Sequence, residues 1–307
     1  MSIGSDASST AALRYAAHGR ADRRYAGRRI ALATLHQKHR ILARPLWVGL
    51  GLRLSHASQV DTDRFGSFGG EQVRRDDART TCFRKAEAAL EALGLDLGIA
   101  SEGSFGPHPT VPMLPVGHEW MTFVDRRDGL VISEQLISRS TNYSSCHGAE
   151  PEAITGWLRQ VGFPRHALMV RPMGAEPSAP GGWLAKGVHD GAELARLMAE
   201  AVRLSPVRQA WLETDMRAHC NPTRRVAIRQ LAFRLVRRVA SACPACGAPG
   251  WGLVDTLAGL PCGDCGLATR LVKAERLGCV ACFYTESRPR RDGREAADPL
   301  HCDYCNP

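Results

Sequence analysis

The sequence predicts an α/β fold, a mixed sheet with flanking helices, followed by a small C-terminal β-rich module. Strand-like and helix-like segments alternate through residues 30–239, whereas eight of the eleven cysteines fall in the last 65 residues. We therefore divide the chain into a disordered basic tail (1–29), an α/β domain (30–239) with a sub-boundary near 145–150, and a cysteine-rich module (240–307).

The elements of the first half are predicted from apolar runs and from glycines that end helices. They are the buried strand Ile30–Leu35, the helix Thr80–Leu93, the buried strand Leu97–Ser101, and a hairpin of Glu119–Val124 with Leu130–Ile137. Gly94 ends the helix, and Asp128-Gly129 forms the hairpin turn. This order is typical of an α/β domain.

A second α/β stretch follows the hairpin. Its predicted elements are a helix from Pro151 to Val161, a strand from His166 to Pro172, a helix that begins after Asp190, and a last helix from Thr223 to Val239. Gly162 ends the first of these helices, and Asp190 with Glu193 has the pattern of a capping box. The last helix leads directly into the cysteine-rich module.

Four C-x-x-C pairs occupy that module: Cys243/Cys246, Cys262/Cys265, Cys279/Cys282 and Cys302/Cys305. Two thiolates and the turn between them fit one edge of a tetrahedron, so two such pairs complete a four-sulfur zinc site. Disulfides require an oxidising compartment, and the N-terminal residues have no apolar segment of the kind that directs secretion. The module is therefore predicted to be a double zinc ribbon with two structural zinc ions, in a cytoplasmic protein.

The sequence leaves the pairing of the four motifs open. Sequential closure joins the first pair to the second and the third to the fourth, across gaps of 15 and 19 residues that suit zinc ribbons. Interleaved closure is the alternative, because the segments LVKAERLGC and CFYTESR form a hairpin with Cys279/Cys282 at its tip.

Charge is distributed unevenly along the chain, whose net charge is +9. Residues 1–29 carry six Arg against two Asp, and Arg224 to Arg238 adds six Arg, whereas residues 239–307 carry seven basic against eight acidic residues. The ribbon is therefore not a phosphate-binding surface, and we expect any nucleic-acid binding to be weak. The longest apolar run, Pro45 to Leu52, is far shorter than the roughly 20 residues of a membrane span, so no membrane partner is expected.

The tetrapeptide GSFG occurs twice, at Gly66–Gly69 and at Gly103–Gly106, each after a strand-like run, QVD and LGIAS. Loops at strand C-terminal ends present backbone amides to anions, and carboxylates there hold hard cations such as magnesium. The candidate metal-holding acids are Asp61, Asp63, Glu71 and Glu102, and the candidate ligand-binding residues are Gly66, Ser67, Gly103, Ser104 and His108. The alternative is that both segments are ordinary glycine-rich turns.

A third polar cluster, ETDMRAHCNPTR, precedes the last helix. Within it, Arg217 is a candidate anion clamp and His219 a candidate general base. Asn221 is a candidate substrate contact, although Asn-Pro-Thr is also an ordinary way to begin a helix. His36 with Lys38, at the end of the first strand, is a similar candidate.

The segments DTDRFGSFGGE, ASEGSFGPHP, TDMRAHCNPTR and CPACGAPGWG, in this order, resemble an uncharacterised bacterial family classed as a domain of unknown function. The resemblance covers about residues 30–307. It implies a His-Gly-Lys-Glu segment after the first strand, where this chain has His36-Gln37-Lys38-His39 and so lacks the glutamate. The family supports the segment boundaries and a polar site, and it implies no reaction.

Two functional hypotheses follow. The first is a magnesium-assisted enzyme that acts on a phosphate-bearing or other anionic small molecule, with the four acids on the metal and with Arg217 and His219 on the substrate. The second is a non-enzymatic module whose ribbon and arginine-rich helix bind protein or nucleic acid, with the glycine loops purely structural. The first hypothesis requires the two GSFG segments to converge on one cleft, bordered by the TDMRAH segment.

Overall fold

The computed structural model describes residues 24–67, 69–108, 111–179 and 181–307. Within these ranges, the first sheet has five strands: β1 (Arg29–Leu32), β2 (Arg53–His56), β3 (Leu97–Pro107), β4 (Pro115–Asp125) and β5 (Leu130–Ser138). They lie in the order β2-β1-β3-β4-β5, with β1 parallel to β2 and β3, and with β3, β4 and β5 antiparallel. The predicted mixed sheet with flanking helices is confirmed.

Two helices of this first unit differ in how well the sequence predicts them. Helix α2 (Ala78–Leu93) begins where the Asp77 side chain accepts from the amides of Arg79 and Thr80, and it ends, as predicted, at left-handed Gly94. Helix α1 (His39–Leu50) was not predicted, because Pro45 lies inside it and a proline removes a helical hydrogen bond. Strand β2 was also missed.

The predicted strand endings before the two GSFG segments are wrong. The run QVD lies in a loop, and the first GSFG follows a single 3₁₀ turn, Asp63–Phe65. The second GSFG lies inside β3 and not in a loop, because β3 pairs with β4 without interruption from Leu97↔Asp125 to Pro107↔Pro115. Pairing with β4 thus extends β3 well beyond the end of β1.

A second, four-stranded sheet follows. Its strands are β6 (Ser145–Gly148), β7 (Leu168–Pro172), β8 (Ala185–Val188) and β9 (Ala210–Thr214), all antiparallel, in the order β6-β9-β7-β8. Helices α3 (Thr155–Val161) and α4 (Gly191–Leu204) cover one face of this sheet with a separate apolar core. The change of sheet falls between Ser138 and Ser145, close to the sub-boundary predicted at 145–150.

Helix α5 (Pro222–Val239) leaves the second sheet and returns to the first. It packs against α1, β4 and β5, and its buried residues Ile228, Leu231 and Leu235 join the main core. Asn221 caps its first turn by accepting from the Arg224 amide, and Pro222 occupies the first turn. The helix-initiating interpretation of Asn221-Pro222 is therefore confirmed.

One fully buried ion pair fastens α5 to the sheet. Arg224 Nε donates to Glu119 Oε1 at 2.6 Å, and Arg224 Nη1 donates to the Met216 carbonyl oxygen at 2.6 Å. The side chains of Arg224 and Glu119 are 0% and 1% exposed. Gly103 lies against the pair, since a Cβ atom there would stand 2.6 Å from Arg224 Nη2.

The predicted basic tail lies mostly outside the described residues. Tyr25, which falls within the predicted 1–29 tail, is fully buried in the main core and stacks edge-on against Phe123 at 5.3 Å. Packing of the domain therefore begins before the predicted boundary, and the prediction for residues 1–23 concerns residues that the structure does not describe.

The C-terminal module contains the antiparallel sheet β10 (Gly252–Ala258), β11 (Val272–Gly278) and β12 (Thr285–Pro289). Arg238, at the end of α5, donates to the Gly250 and Ser133 carbonyl oxygens and pairs with Glu134 at 3.0 Å. The start of the module is thereby attached to β5 of the first sheet.

We predict that Glu119→Gln destabilises the protein by roughly 3–5 kcal/mol, because it leaves the buried Arg224 guanidinium without its counter-charge. Urea-induced unfolding followed by circular dichroism measures the change. The matched control is Glu286→Gln, which removes the carboxylate partner of Arg288, at 2.9 Å, on the exposed surface of the ribbon. This control should leave the unfolding midpoint unchanged. Equal effects of the two substitutions would contradict the role given to the buried pair.

Candidate functional site

Two groups of four cysteines lie in the C-terminal module: Cys243, Cys246, Cys279 and Cys282, and Cys262, Cys265, Cys302 and Cys305. In each group the sulfur atoms all lie within 4.8 Å of one another. The pairing is interleaved, first motif with third and second with fourth, so the sequential alternative is wrong. The reason is that the β10–β11 hairpin carries the second motif away from the first and returns the third motif to it.

The sulfur geometry fits a tetrahedral metal. Cross-motif sulfur distances are 3.8 and 3.7 Å in the first group and 3.8 and 3.6 Å in the second. Metal–sulfur bonds of ~2.3 Å at tetrahedral angles place neighbouring sulfurs ~3.8 Å apart, whereas a disulfide joins them at ~2.05 Å. All eight residues are free thiols. The donor set therefore suits a four-sulfur metal site in each group.

Backbone amides support the thiolate form of one cysteine in each group, Cys279 and Cys302. Burial opposes ionisation of Cys279, but the amides of Cys282 and Ala281 donate to its sulfur, and the pKa of Cys279 falls to about 7. Amide hydrogen bonds from Cys305 and Tyr304 likewise lower the pKa of Cys302 to about 7. Thiolates are the form that binds metal.

The two groups differ in their attachment to the rest of the chain. Beside the first group, Val280 packs against the main core, and Gly250 lies so close to Ile132 that a Cβ atom would stand 2.8 Å from it. The second group is tied to its own module by the pairing of Cys262 with Ala297. Metal loss at the first group should therefore disturb the main core more than loss at the second.

A polar cleft lies where β1 ends and β3 continues. It is lined by Ala33, Thr34, His36, Lys38, Thr62, Asp63, Gly66, Lys85, Ser101 and Glu102. Asp63 and Gly66 of the first GSFG region thus share a cleft with Glu102 of the second. Arg74 joins the two regions, since it lies against Gly66 and its Nη2 donates to the Gly103 carbonyl oxygen at 2.7 Å. The predicted convergence is present although the second segment is a strand.

Lys38 is the most unusual group in the cleft. It is 6% exposed, its Nζ donates to the Ser101 carbonyl oxygen at 2.7 Å, and it has no carboxylate within ion-pair distance among the residues that the structure describes. Burial, together with the charge of Arg224, lowers the pKa of Lys38 to about 8. The hydroxyl of Ser101 beside it has no hydrogen-bond partner in the described chain.

The four candidate metal-holding acids do not form one cluster. Glu102 lies between Lys85 Nζ at 2.6 Å and Arg74 Nη2 at 2.7 Å, and although burial opposes it, these cations and Lys38 lower the pKa of Glu102. Glu71 is paired with Lys186 and accepts from the Ser67 hydroxyl. Two of the four acids are thus neutralised by basic side chains.

Asp63 is the candidate acid that faces the cleft without a close cation. Its nearest described basic partner is His36 Nε2 at 3.9 Å, and its side chain is 38% exposed. Burial and the charge of Asp61 raise the pKa of Asp63. Asp61 does not line the cleft; its Oδ1 accepts from the Asp63 amide at 2.9 Å and so fixes the turn that presents Asp63.

The TDMRAH segment borders the cleft through its histidine. The rings of His36 and His219 stack with centroids 5.5 Å apart, and burial lowers the pKa of both, that of His36 to about 2. Both imidazoles are therefore neutral at physiological pH. Arg217 is held bidentately by Asp215, with Nε donating to Oδ1 at 3.0 Å and Nη2 donating to Oδ2 at 2.6 Å, so its charge is already paired and it is less available as an anion clamp.

The remaining candidates are placed outside the cleft. Ser104 is paired with His118 in the β3–β4 hairpin, and His108, beyond β3, accepts from the Val111 amide. Asn221 is buried at the start of α5 and donates to Asn142 Oδ1 at 2.8 Å. Gly103 is the glycine that leaves room for the Arg224–Glu119 pair.

The sequence patterns did not identify Arg74 and Lys85 as members of the site. For Lys85 the sequence contained one indication, the rarity of lysine. The chain has only four lysines against 36 arginines: Lys38, Lys85, Lys186 and Lys273. Lys38 and Lys85 line the cleft, and Lys186 lies near enough to Asp63 to affect its pKa. Lysine is a compact point charge and arginine a planar fork, so a lysine buried in an arginine-rich chain, such as Lys38 or Lys85, indicates a position where arginine does not fit; Lys273 is exposed.

None of the described helices combines the length and the apolar character needed to cross a membrane. Comparison with curated proteins and with solved structures gives no match. The sequence profile of a family described as a domain of unknown function, DUF6671, matches residues 85–307, from the middle of α2 to the end of the cysteine-rich module. The chain belongs to the DUF6671 family.

Proposed function

We propose that the cleft binds a phosphate-bearing small molecule, and that the C-terminal module holds two structural zinc ions that stabilise the protein. The observation that carries the first part is Lys38, a buried ammonium without a carboxylate partner among the described residues. Burying a charge costs free energy unless a counter-charge accompanies it, so a bound anion is the partner that this arrangement favours.

Further unpaired polar atoms support a bound ligand. The Ser101 hydroxyl, Arg74 Nε and His219 Nδ1 are buried and lack hydrogen-bond partners in the described chain. Ser101 lines the cleft, whereas Arg74 and His219 contact the lining residues Gly66 and His36. Buried polar atoms in native proteins are nearly always paired, so unpaired atoms in and beside the cleft favour a ligand that pairs them. The basic residues around the cleft match phosphate better than a neutral ligand.

Magnesium fits this proposal through Asp63. Magnesium commonly binds one or two carboxylates together with the phosphates of a substrate, and it does not need an all-protein cage. Asp63 would hold the ion at the cleft, and when bound the ion would neutralise phosphate charge. The neutral His219, beside His36, is then the residue placed to accept a proton if the protein is an enzyme.

Zinc is favoured over other metals by the four-thiolate sets, which are typical of structural zinc sites. Since free thiols persist in a reducing compartment, we also propose a cytoplasmic location. The alternative of a nucleic-acid-binding ribbon has less support, because Arg224 and Arg238 of the arginine-rich helix are used in internal contacts.

We predict two zinc ions per chain, one for each cysteine group. Elemental analysis of protein expressed with ample zinc measures the stoichiometry. Cys302→Ser should lose one ion and leave the main thermal transition near that of the unmodified protein, since its group is tied to its own module. Cys279→Ser should lose one ion and also lower the main transition, because its group packs on the main core. A stoichiometry of one or less in the unmodified protein would overturn the zinc proposal.

We predict that Lys38→Met abolishes ligand binding without destabilising the free protein, because it removes a buried charge that has no ion-pair partner among the described residues. A thermal-shift screen with nucleotides, sugar phosphates and inorganic phosphates, with and without magnesium, first finds the ligands, which raise the apparent melting temperature by mass action. The control is Lys273→Met, which removes the exposed lysine of the ribbon.

The pH dependence gives a second readout. Because the charged form of Lys38 binds the anion and its pKa is lowered to about 8, affinity should fall as the pH rises above about 8. Retention of the ligand-induced shift by Lys38→Met, or a shift that also disappears in Lys273→Met, would contradict the proposal.

A further inference from the structure

Helices α1 and α5 cover one face of the first sheet, and α2 covers the other. On β1, Ile30 and Leu32 belong to the core under α1 and α5, whereas Ala31 between them belongs to the core under α2. Gly49 of α1 approaches Val236 of α5 so closely that a Cβ atom at Gly49 would clash with it. The two helices therefore lie side by side, and their sides that face away from the sheet form one surface.

Basic side chains dominate this surface, which we call the α1–α5 face. Neither helix contains an Asp or a Glu. The exposed basic residues of the face are Arg40 and Arg44 on α1 and Arg225, Arg229, Arg234 and Arg237 on α5. Arg224 and Arg238 are instead used in ion pairs with Glu119 and Glu134. The six exposed arginines form no ion pair with a described acid.

The arginines are spaced so that they project together. Residues four apart lie one above another on a helix, so Arg40 and Arg44 follow each other on the exposed side of α1. By the same rule Arg225, Arg229 and Arg237 follow one another on the exposed side of α5. The twelve residues from the first to the last of these correspond to a rise of about 18 Å, and neighbouring helices lie ~8–10 Å apart. The face is thus a positively charged strip two helices wide.

Burial and charge density favour a nucleic-acid duplex over a membrane or an acidic protein. Membrane-binding helices insert an apolar side into the lipid, and the apolar sides of α1 and α5 are already buried in the main core. An acidic polypeptide offers at most one charge per ~3.3–3.6 Å of extended chain, whereas duplex DNA offers one per ~1.7 Å of its axis. About ten DNA phosphates therefore lie along the ~18 Å that the α5 arginines span, so each planar guanidinium can meet a phosphate.

The other exposed side chains of the face favour duplex DNA over single strands and over RNA. Proteins that bind single strands stack the bases on aromatic rings. Trp47, the exposed aromatic residue of α1, lies instead against Arg53, whose guanidinium is 6.0 Å from the ring centroid. Duplex RNA is recognised through its 2′-hydroxyls as well as its phosphates, and Gln230 is the one exposed uncharged polar side chain of the two helices. The face therefore offers many contacts for phosphates and few for bases or 2′-hydroxyls.

We propose that the α1–α5 face binds duplex DNA through its phosphates, without reading the base sequence. An arginine pairs with a phosphate through two parallel hydrogen bonds, and the six exposed arginines provide up to six such contacts. Contacts of this kind give binding that weakens steeply with salt and is weak at physiological salt. The face lies apart from the cleft and from the ribbon, and the inference does not depend on the ligand of the cleft.

The salt dependence of DNA binding tests the inference. Fluorescence anisotropy with a labelled duplex of about 20 base pairs measures the affinity of the full chain at several salt concentrations. Six phosphate contacts predict a roughly thousandfold loss of affinity between about 50 and about 200 mM salt. Duplexes of unrelated sequence should bind with equal affinity, because phosphates carry no sequence information.

A triple variant locates the contacts. Arg225→Gln, Arg229→Gln and Arg237→Gln together remove three of the six arginines, so the loss of affinity over the same salt range should shrink to roughly fortyfold. These side chains are exposed, and circular dichroism should show an unchanged fold. If the triple variant fails to fold, Arg229→Gln alone should reduce the slope of log affinity against log salt by about 1.

The matched control has the same change in net charge on other parts of the surface. It combines Arg75→Gln and Arg79→Gln, at the start of α2, with Arg203→Gln on α4. All three arginines are exposed and lie outside the α1–α5 face. The control should keep the salt dependence of the unmodified protein, because the lost charges do not meet the phosphates.

The outcomes separate the parts of the inference. Equal salt dependence of the two triple variants would overturn the assignment of the α1–α5 face. Binding to polyglutamate or to phosphatidylserine vesicles that matches binding to DNA would overturn the choice of partner, as would tighter binding of a single strand or of duplex RNA of the same length. Absence of DNA binding at about 50 mM salt would overturn the whole inference and leave the cleft and zinc proposals standing.

Discussion

The buried Arg224–Glu119 ion pair is the interaction on which the rest of the α/β domain depends. Arg224 lies in the first turn of helix α5, and Glu119 lies in β4. A further hydrogen bond from Arg224 to the Met216 carbonyl oxygen fixes the segment that carries His219. The guanidinium also lies over the ring of Phe105, 5.2 Å from its centroid. One pair of charges therefore sets the position of α5, of the β3–β4 hairpin and of the polar segment between the two sheets. Burial lowers the pKa of His36 and of Lys38, and the charge of Arg224 lowers both further, so this arginine also influences the electrostatics of the cleft.

The basic side chains of the cleft, and not its carboxylates, are the groups available to a ligand. Glu102 and Glu71, expected as metal ligands, are each paired with a lysine, whereas Lys38 is buried and forms no ion pair with a described acid. The acids thus hold Lys85, Arg74 and Lys186 in place and keep their side chains ordered. Such an arrangement is preorganised for an anion, because its donors are already desolvated and oriented before the ligand arrives.

The interleaved cysteine groups explain how the module is joined to the domain. The first group closes across the base of the β10–β11 hairpin, beside Val280 and the main core, and the second closes at the far end. Arg238 connects the end of α5 to Gly250 and to β5 across this junction. Metal binding at the first group would therefore stabilise the module and its attachment to the domain together.

The sequence by itself determined the features that depend on neighbouring residues. Gly94 and Gly162 end their helices in left-handed conformations, Asn221-Pro222 begins α5, Gly129 turns the β4–β5 hairpin, and the C-x-x-C spacing identifies the eight cysteines of the two groups. The tertiary structure decided what depends on residues far apart in the chain. The pairing of the cysteine motifs follows from a hairpin that no local pattern fixes. The second GSFG segment is a strand because β4 supplies hydrogen bonds along its whole length. Lys38, Lys85 and Glu102 lie together because β3 continues past the point where the parallel strand β1 ends. Packing between elements brings these residues together, and the spacing of residues within a single element does not reveal it.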